Sequence, residues 1–292
     1  MQQQLFDRQG VAIGVGLRHP HYQDILAAPA PIDFVEVHSE NFFGQGSAAR
    51  SLLLEVSQQY PVSLHSTAMG LGSEHEIPEP YLDSLGQLVE QISPVLLSDH
   101  AAFAWSQWRD SPIHAGDLLP LAYNDNNLEI ISRNIDRCQQ RLGRRLLVEN
   151  VSAYITPKNS SMSETEFLAA ITHKTDCGLL VDLNNIVVNA RNLAVEDVDS
   201  YAKSWLDEIP ADKVGEIHLA GYSAAPSGEI VIDDHAQPVS EEVWLLYAYA
   251  LKQFGSVPTL IEWDNQLPDW QVLIAEAQKA RALANEVLLH DD

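Results

Sequence analysis

LLVEN (Leu146–Asn150) and LLVDLNN (Leu179–Asn185) are short apolar runs that each stop at a carboxylate, Glu149 in the first and Asp182 in the second. Neither alternates polar with apolar residues. A continuous Val/Ile/Leu run is what a strand requires when both faces of its parallel sheet are covered by helices. Outward from this pair, six further runs repeat the pattern: Ile13–Leu17 stops at Arg18, Phe34–Val37 at His38, Val62–Leu64 at His65, Val95–Leu97 at Asp99 and His100, Ile217 at His218, and Leu260–Ile261 at Glu262. Between the runs lie stretches with apolar steps of three and four residues, such as Leu128, Ile131, Ile135, Cys138 and Leu142, which set one stripe of a helix against a sheet. Others are Ser84–Ile92, Glu164–Ile171, Asp197–Glu208, Glu241–Phe254 and Trp270–Leu288. Strand and helix alternating about eight times over 292 residues predicts a (β/α)8 TIM barrel, with residues 1–292 as one domain.

In such a barrel the catalytic groups sit at the C-terminal ends of the strands, because packed side chains fill the interior. All the polar stops are therefore expected at one mouth. An open doubly wound sheet would spread its strand ends along a line and carry a glycine-rich phosphate turn after the first strand. Gly14, Gly16, Gly44 and Gly46 do not stand in that context.

Hydrophobic residues make up 46% of the chain, enough for a large core, and no apolar run reaches the roughly 18 residues of a membrane span. Seventeen basic against 41 acidic side chains give a formal charge of −24, which repels phosphate backbones and anionic lipid and argues against nucleic-acid and membrane partners. The opening MQQQLFDRQG lacks the basic start and apolar stretch of a secretory signal, so a cytoplasmic protein is expected. Cys138 falls on a helix stripe and Cys177 just before a buried run; both read as small core residues rather than disulfide partners or thiolate ligands.

Imidazole nitrogen and carboxylate oxygen are donors that suit divalent transition metals of borderline softness. Six strand ends supply them, at His65, His100, Glu149, Asp182, His218 and Glu262. Asn185 follows Asp182 by three residues, and Asp233 and His235 in VIDDH precede the last strand, making nine candidates. A lone His or Glu at a strand end is more often a capping or surface residue than a ligand. Their joint occurrence at so many ends predicts a metal site. His38 is ambiguous, His19 and His21 lie near the first strand's mouth, and His75, His114, His173 and His290 read as ordinary histidines.

The segments GVGLRHPHYQDIL, DFVEVHSENFFG, SDHAAFAWS, LLPLAYN, LLVENVSAYI, LLVDLNNIVVNARN, EIHLAGY, IDDHAQPVSEEVWLLY and TLIEWDNQLP resemble, in order and over nearly the whole chain, the MbnB/TglH-like family, long catalogued without a function. The resemblance implies a TIM barrel of the xylose isomerase and endonuclease IV type that holds two or three iron ions, with zinc or manganese as possible substitutes in isolated protein. It also implies oxygen-dependent modification of a cysteine in a ribosomally made precursor peptide, presented by a small partner protein. Carried over position by position, it implies ligands at the same nine residues. Glu149 would bridge two ions, with His65 and His100 on one, Asp182, His218 and Glu262 completing the second, and Asn185, Asp233 and His235 on a third. Two stretches depart from the family pattern: HSTAMGLGS after His65, and Ala101, Ala102 and Phe103 before Ala104 and Trp105.

Around these ligands, Asp264, two residues past Glu262, and Asp99, beside His100, are candidates for orienting ligands or moving protons, because ligating imidazoles usually donate their second N–H to a carboxylate or carbonyl. Arg18 at the first strand's mouth, and Glu36, Glu40 and Asn41 at the second's, are candidates for touching substrate or bracing ligands. Asn150 and Asn184 are expected to point away from the mouth if the strand pleat holds. Trp244 and Tyr247, on a helix with Ser240 as N-cap, read as core. Two other classes fit the same residues. One is a zinc- or manganese-dependent hydrolase or isomerase, for which only Arg18 and Arg191 could meet a phosphate; the other is a non-catalytic metal or peptide binder.

Overall fold

Eight parallel strands close on themselves in the computed structural model, which describes residues 10–109, 111–226 and 228–289; His290 lies outside them. The strands are β1 (Ile13–Gly16), β2 (Phe34–His38), β3 (Val62–His65), β4 (Leu96–His100), β7 (Leu147–Glu149), β8 (Gly178–Asp182), β9 (Val214–Leu219) and β12 (Thr259–Ile261). Their order around the barrel is β1-β12-β9-β8-β7-β4-β3-β2, and β2 pairs with β1 to complete the circle. These are the apolar runs of the sequence, each short and buried throughout or nearly so, as strands screened on both sides must be.

Helices α1 (Tyr22–Ala27), α2 (Ala48–Val56), α3 (Glu79–Ile92), α4 (Asp125–Leu142), α5 (Glu164–Thr175), α6 (Leu183–Asn192), α7 (Val198–Glu208) and α8 (Glu241–Phe254) lie between the strands in sequence, and α9 (Trp270–Leu289) follows the last strand. The longer ones follow from the stripes. In α4, Leu128, Ile131, Ile135 and Cys138 are buried, Asn124 caps the start by accepting from Asn127 N–H, and Gly143 ends the helix at φ 64, where a side chain would be strained. Helix α8 begins after Ser240, whose hydroxyl accepts from Val243 N–H, and buries Trp244 and Tyr247. Cys177 is also buried, as a core residue should be.

The barrel interior is layered by the strand pleat. Ala12, Phe34 and Leu260 form one small apolar cluster, and Leu96, Leu147 and Leu180 another, separate from the main core between strands and helices. Gly14 is fixed by this packing, because a Cβ there would lie 2.6 Å from the Phe34 ring. Above these clusters the interior turns polar, with Glu36, Ser63, Ser98 and Glu216 fully enclosed.

Two hairpins depart from the simple alternation. Strands β5 (Ala102–Trp108) and β6 (Ser111–Pro120) pair antiparallel in the excursion after β4, and β10 (Ser223–Ala224) pairs with β11 (Val231–Ile232) after β9. Trp108 at the tip of the first hairpin is 68% exposed. Among the described residues no helix is long and apolar enough to cross a membrane.

Candidate metal centre

Parallel register sets the strand-end groups side by side. His38 pairs with His65, His65 with Ser98, His100 with Glu149, and Asp182 with His218. All point into the barrel because side chains two apart on a strand share a face. A cavity of about 410 Å³ opens above them, lined by His65, His100, Glu149, Asn185, Asp233, His235 and Glu262 among others. Asp182 and His218 lie just below, fully buried. The nine groups singled out in the sequence thus meet at one mouth.

Several triads have donor atoms within 4.8 Å of one another: His65, His100 and Glu149; Glu149, Asp182 and His218; and Asp182, His235 and Glu262. Glu149 joins the first two, with its Oε2 3.5 Å from His65 Nε2 and 3.3 Å from His100 Nε2. His235 Nε2 lies 2.7 Å from Asp233 Oδ1 yet has no hydrogen-bond partner, so the two atoms are close without being aligned for a bond. Glu149 Oε2, Asp182 Oδ2, Asn185 Oδ1 and His218 Nε2 are likewise buried with no hydrogen-bond partner. Buried polar atoms are normally satisfied. A set of orphaned nitrogen and oxygen atoms facing one another fits divalent cations of borderline softness. The grouping differs from the expected one: Asp182 and Glu262 share a triad with His235, and two further triads bring in residues outside the nine, His38 and Asp264 with Glu262, and Glu36 and Glu216 with His218.

Electrostatics support the same reading. Burial pushes the Glu149 carboxyl up to about 8 and the Asp182 carboxyl up to about 7, because low-dielectric surroundings penalise the anion. Burial works against the charge of His100, but Glu149 and Asp99 outweigh it and raise the ring to about 9. Burial also opposes ionisation of Glu262, yet His235 and His218 hold it down to about 2. Across the cluster, carboxylates favour charged imidazoles and imidazoles favour charged carboxylates, while burial opposes both.

The outer contacts fix the ligands. His65 Nδ1 lies 2.8 Å from Ser98 Oγ, leaving Nε2 for the cavity. Asp182 is the N-cap of α6, its Oδ1 accepting from Asn185 N–H at 2.6 Å, and Asn150 ties β7 to β8 through the Asp182 backbone. Asn184 does not face away as the strand pleat predicts; because the helix starts at Leu183, the two-residue strand period no longer applies, and its amide donates to Asp233 Oδ1 at 2.8 Å. Ser152 Oγ also donates to Asp233. His235 has φ 45, a left-handed conformation uncommon for a non-glycine residue, and its carbonyl accepts from Asp264 N–H at 2.9 Å. The two departures from the family pattern touch each other, since Trp105 Nε1 donates to the Ala68 carbonyl.

The flanking candidates sort by the same pleat. Asp264 lines the cavity, accepting from Arg18 at 2.7 Å; burial opposes its charge, but Arg18 and the neighbouring imidazoles hold it well below the usual carboxylate range. Arg18 also lies 2.9 Å from His38 Nε2 and 3.6 Å from Glu262, so it braces the mouth rather than opening into the cavity. Asp99 is fully buried, accepts from Met69 N–H and its neighbour's own N–H, and lies 3.6 Å from His100 Nδ1, which fits the orienting role of the two expected for it. Glu36 is fully buried one layer below His38 with its Oε1 3.4 Å from His218 Nε2, which fits bracing a ligand, the second of its two expected roles, rather than touching substrate. Glu40 accepts from Thr67 and Ala68 N–H and from the Tyr81 hydroxyl, which braces the loop after His65, and Asn41 is exposed away from the cavity lining.

Glu216 is a residue that the strand-end rule passes over. Its signal is in the sequence: Glu36 and His38, Ser63 and His65, Ser98 and His100, and Glu216 and His218 are each two apart, so the first of each pair shares its histidine's face one layer deeper.

The chain has relatives in sequence and in fold. A UPF0276 protein of Vibrio parahaemolyticus is 40% identical over 277 residues, covering 94% of this chain and 93% of the relative. One from Rhizorhabdus wittichii is 43% identical over 274 residues, covering 93% and 94%. Among solved structures, endonuclease IV from Thermus thermophilus superposes with TM-score 0.56 at 14% identity, covering 94% of this chain and 99% of that one. A xylose isomerase domain-containing protein of Salmonella typhimurium gives 0.61 at 14% identity, covering 96% and 98%. At such identity the structural likeness carries the fold alone. Residues 12–285 match the family described as RiPP precursor modification enzyme MbnB/TglH/ChrH, and the chain belongs to that family.

Proposed function

We propose that this enzyme is a multinuclear non-haem iron, oxygen-dependent catalyst that modifies a cysteine of a ribosomally synthesised precursor peptide, with a small partner protein presenting the peptide. The observation that carries the reading is the set of orphaned donors, Glu149 Oε2, Asp182 Oδ2, Asn185 Oδ1 and His235 Nε2, gathered at one mouth. Iron bound there would supply electrons for dioxygen reduction and a Lewis-acidic position that stabilises a cysteine thiolate. His65, His100, Glu149, Asp182, Asn185, His218, Asp233, His235 and Glu262 would hold the ions.

The remaining residues have simpler tasks. Leu118, Leu119 and Pro120 on one lip and Val151, Tyr154 and Ile155 on the other give the cavity an apolar rim that can seat an extended peptide and limit water. Asp264, kept ionised by Arg18, is placed to accept a hydrogen bond from a group in the cavity. Zinc or manganese chemistry on a phosphorylated substrate is disfavoured, because no Lys or Arg lines the cavity among the described residues.

The test combines anaerobically iron-loaded enzyme, the cysteine-containing peptide encoded beside its gene, the candidate partner and oxygen, with mass spectrometry of the peptide. A mass change confined to the cysteine-bearing fragment and dependent on iron and oxygen is expected. An unchanged peptide, with turnover of a small phosphorylated or sugar substrate by the zinc or manganese form, would reject the reading.

A further inference from the structure

We infer that a second copy of this chain pairs with it through the outer face of α9, the two helices lying antiparallel about a two-fold axis. The sequence of α9 carries two apolar seams. Leu273, Ala277, Ala280 and Ala284, at steps of four, three and four, are buried against the rest of the barrel. Val272, Ala275, Lys279, Ala282, Glu286 and Leu289, at alternating steps of three and four, are all exposed. At about 3.6 residues per turn the second seam lies on the side of the helix opposite the first.

Alternating steps of three and four, sustained from Val272 to Leu289, are the signature of a helix that packs along another helix. Within the described residues the outer seam stays uncovered, with Val272 46% and Leu289 72% exposed. Beside it a groove of about 720 Å³ opens between α8 and α9, lined by Trp244, Leu245, Ala248, Lys279, Ala282 and Leu283 among others, and Leu245 at its edge is 61% exposed. Ala275 and Ala282 are small enough to let a second backbone approach closely. The helix is about 30 Å long, and with α8 alongside it the face is on the order of the 800 Å² per partner that a standard interface buries.

Charge selects a second copy as the occupant. With 41 acidic against 17 basic side chains, two copies repel wherever their acidic surfaces meet, whereas a basic partner would be drawn to those surfaces. Helix α9 carries no such excess, since Lys279 and Arg281 balance Glu276 and Glu286. The outer seam meets itself over its whole length when Val272 lies against Leu289 of the second copy, Ala275 against its Glu286 and Lys279 against its Ala282, each contact occurring twice. Glu286 of the second copy then stands one turn from Lys279, within reach of the ammonium, which lies 4.3 Å from the centre of the Trp244 ring beside the groove. Lys279 and Glu286 of one chain are two turns apart, about 10 Å along the helix, and do not pair with each other. The complementarity is therefore available only between copies.

This surface goes beyond the proposed function and does not depend on it. Size-exclusion chromatography with light scattering across a micromolar concentration series should give the wild-type chain a mass approaching twice 32.4 kDa. Lys279→Glu and Glu286→Lys each set like charges against one another twice in the dimer, and each should raise its dissociation constant by about tenfold or more. The double variant Lys279→Glu with Glu286→Lys should restore it toward wild type, which a variant that had merely lost its fold would not do. A single-chain mass at every concentration would overturn the inference. So would a dimer indifferent to both single reversals, which would lie on another face, or one weakened by both and not recovered in the double variant.

Discussion

Ser98 Oγ stands 2.8 Å from His65 Nδ1, one strand over and in direct register with it, so a hydroxyl that never reaches the cavity sets the face that His65 presents to Glu149. Removing it leaves the ring free to turn. Second contacts of this kind typically change metal affinity by about 10–100-fold. Ser98→Ala should therefore weaken binding by roughly that factor in a competition titration with a chromophoric chelator, with the melting temperature of the metal-free protein little changed. Affinity equal to wild type would show that His65 needs no such partner.

The barrel floor makes a separate prediction about stability. A Cβ at Gly14 would sit 2.6 Å from the Phe34 ring, and overpacked cores typically lose about 1–3 kcal/mol. Gly14→Ala should show that loss in urea denaturation, and Gly14→Ala combined with Phe34→Leu should recover part of it. Strict additivity of the two changes would place the strain elsewhere.

Acidity gives a third. Glu149 is raised to about 8, Asp182 to about 7 and His100 to about 9 in the metal-free protein. A group whose folded value is raised holds more protons when native than when unfolded, so stability falls as pH climbs between its ordinary and raised values. The metal-free protein should melt at steadily lower temperature from about pH 5 to pH 8. Glu262, held at about 2, acts in the opposite sense but only at lower pH. Metal binding displaces protons, so affinity should rise over the same interval. A melting temperature that climbs from pH 5 to pH 8 without metal would contradict these assignments.

At the rim, Ile155 is 67% exposed and its replacement removes no core contact. Ile155→Asp should leave metal content and stability within about 0.5 kcal/mol of wild type. If the rim seats peptide, KM for the peptide should rise about fivefold or more, equivalent to about 1 kcal/mol of lost contact, with kcat retained. An unchanged KM would move peptide capture to another surface.

The barrel is legible in the sequence because a doubly covered strand has a strong local signature. LLVE and LLVD show as buried β7 and β8, and the stripe from Leu128 to Leu142 shows as α4. Edges are less legible where caps rather than apolar steps decide them. Helix α3 starts at Glu79, five residues before the expected Ser84, and α5 runs on past Ile171 to Thr175. The β5–β6 hairpin has no matching signature, since its β6 strand is mostly exposed and its pairing is interrupted by a bulge between Phe103 and Trp105. At the mouth, strand-end chemistry is legible because the barrel gathers every strand end. The layer beneath it is not, because Glu36 and Glu216 take their meaning from register across strands that are far apart in the chain. Asn184 is hard to place from sequence for a related reason: a side chain's direction depends on where strand gives way to helix.

The gathering of imidazoles and carboxylates around shared ions is tested most directly by the iron content of the chain, loaded anaerobically with iron(II), desalted, and assayed by elemental analysis beside His100→Ala and His235→Ala. Two or more ions per wild-type chain, with at least one lost in each variant, is the expected result. One ion or none in wild type, or a full complement in both variants, would contradict a multinuclear centre at this mouth.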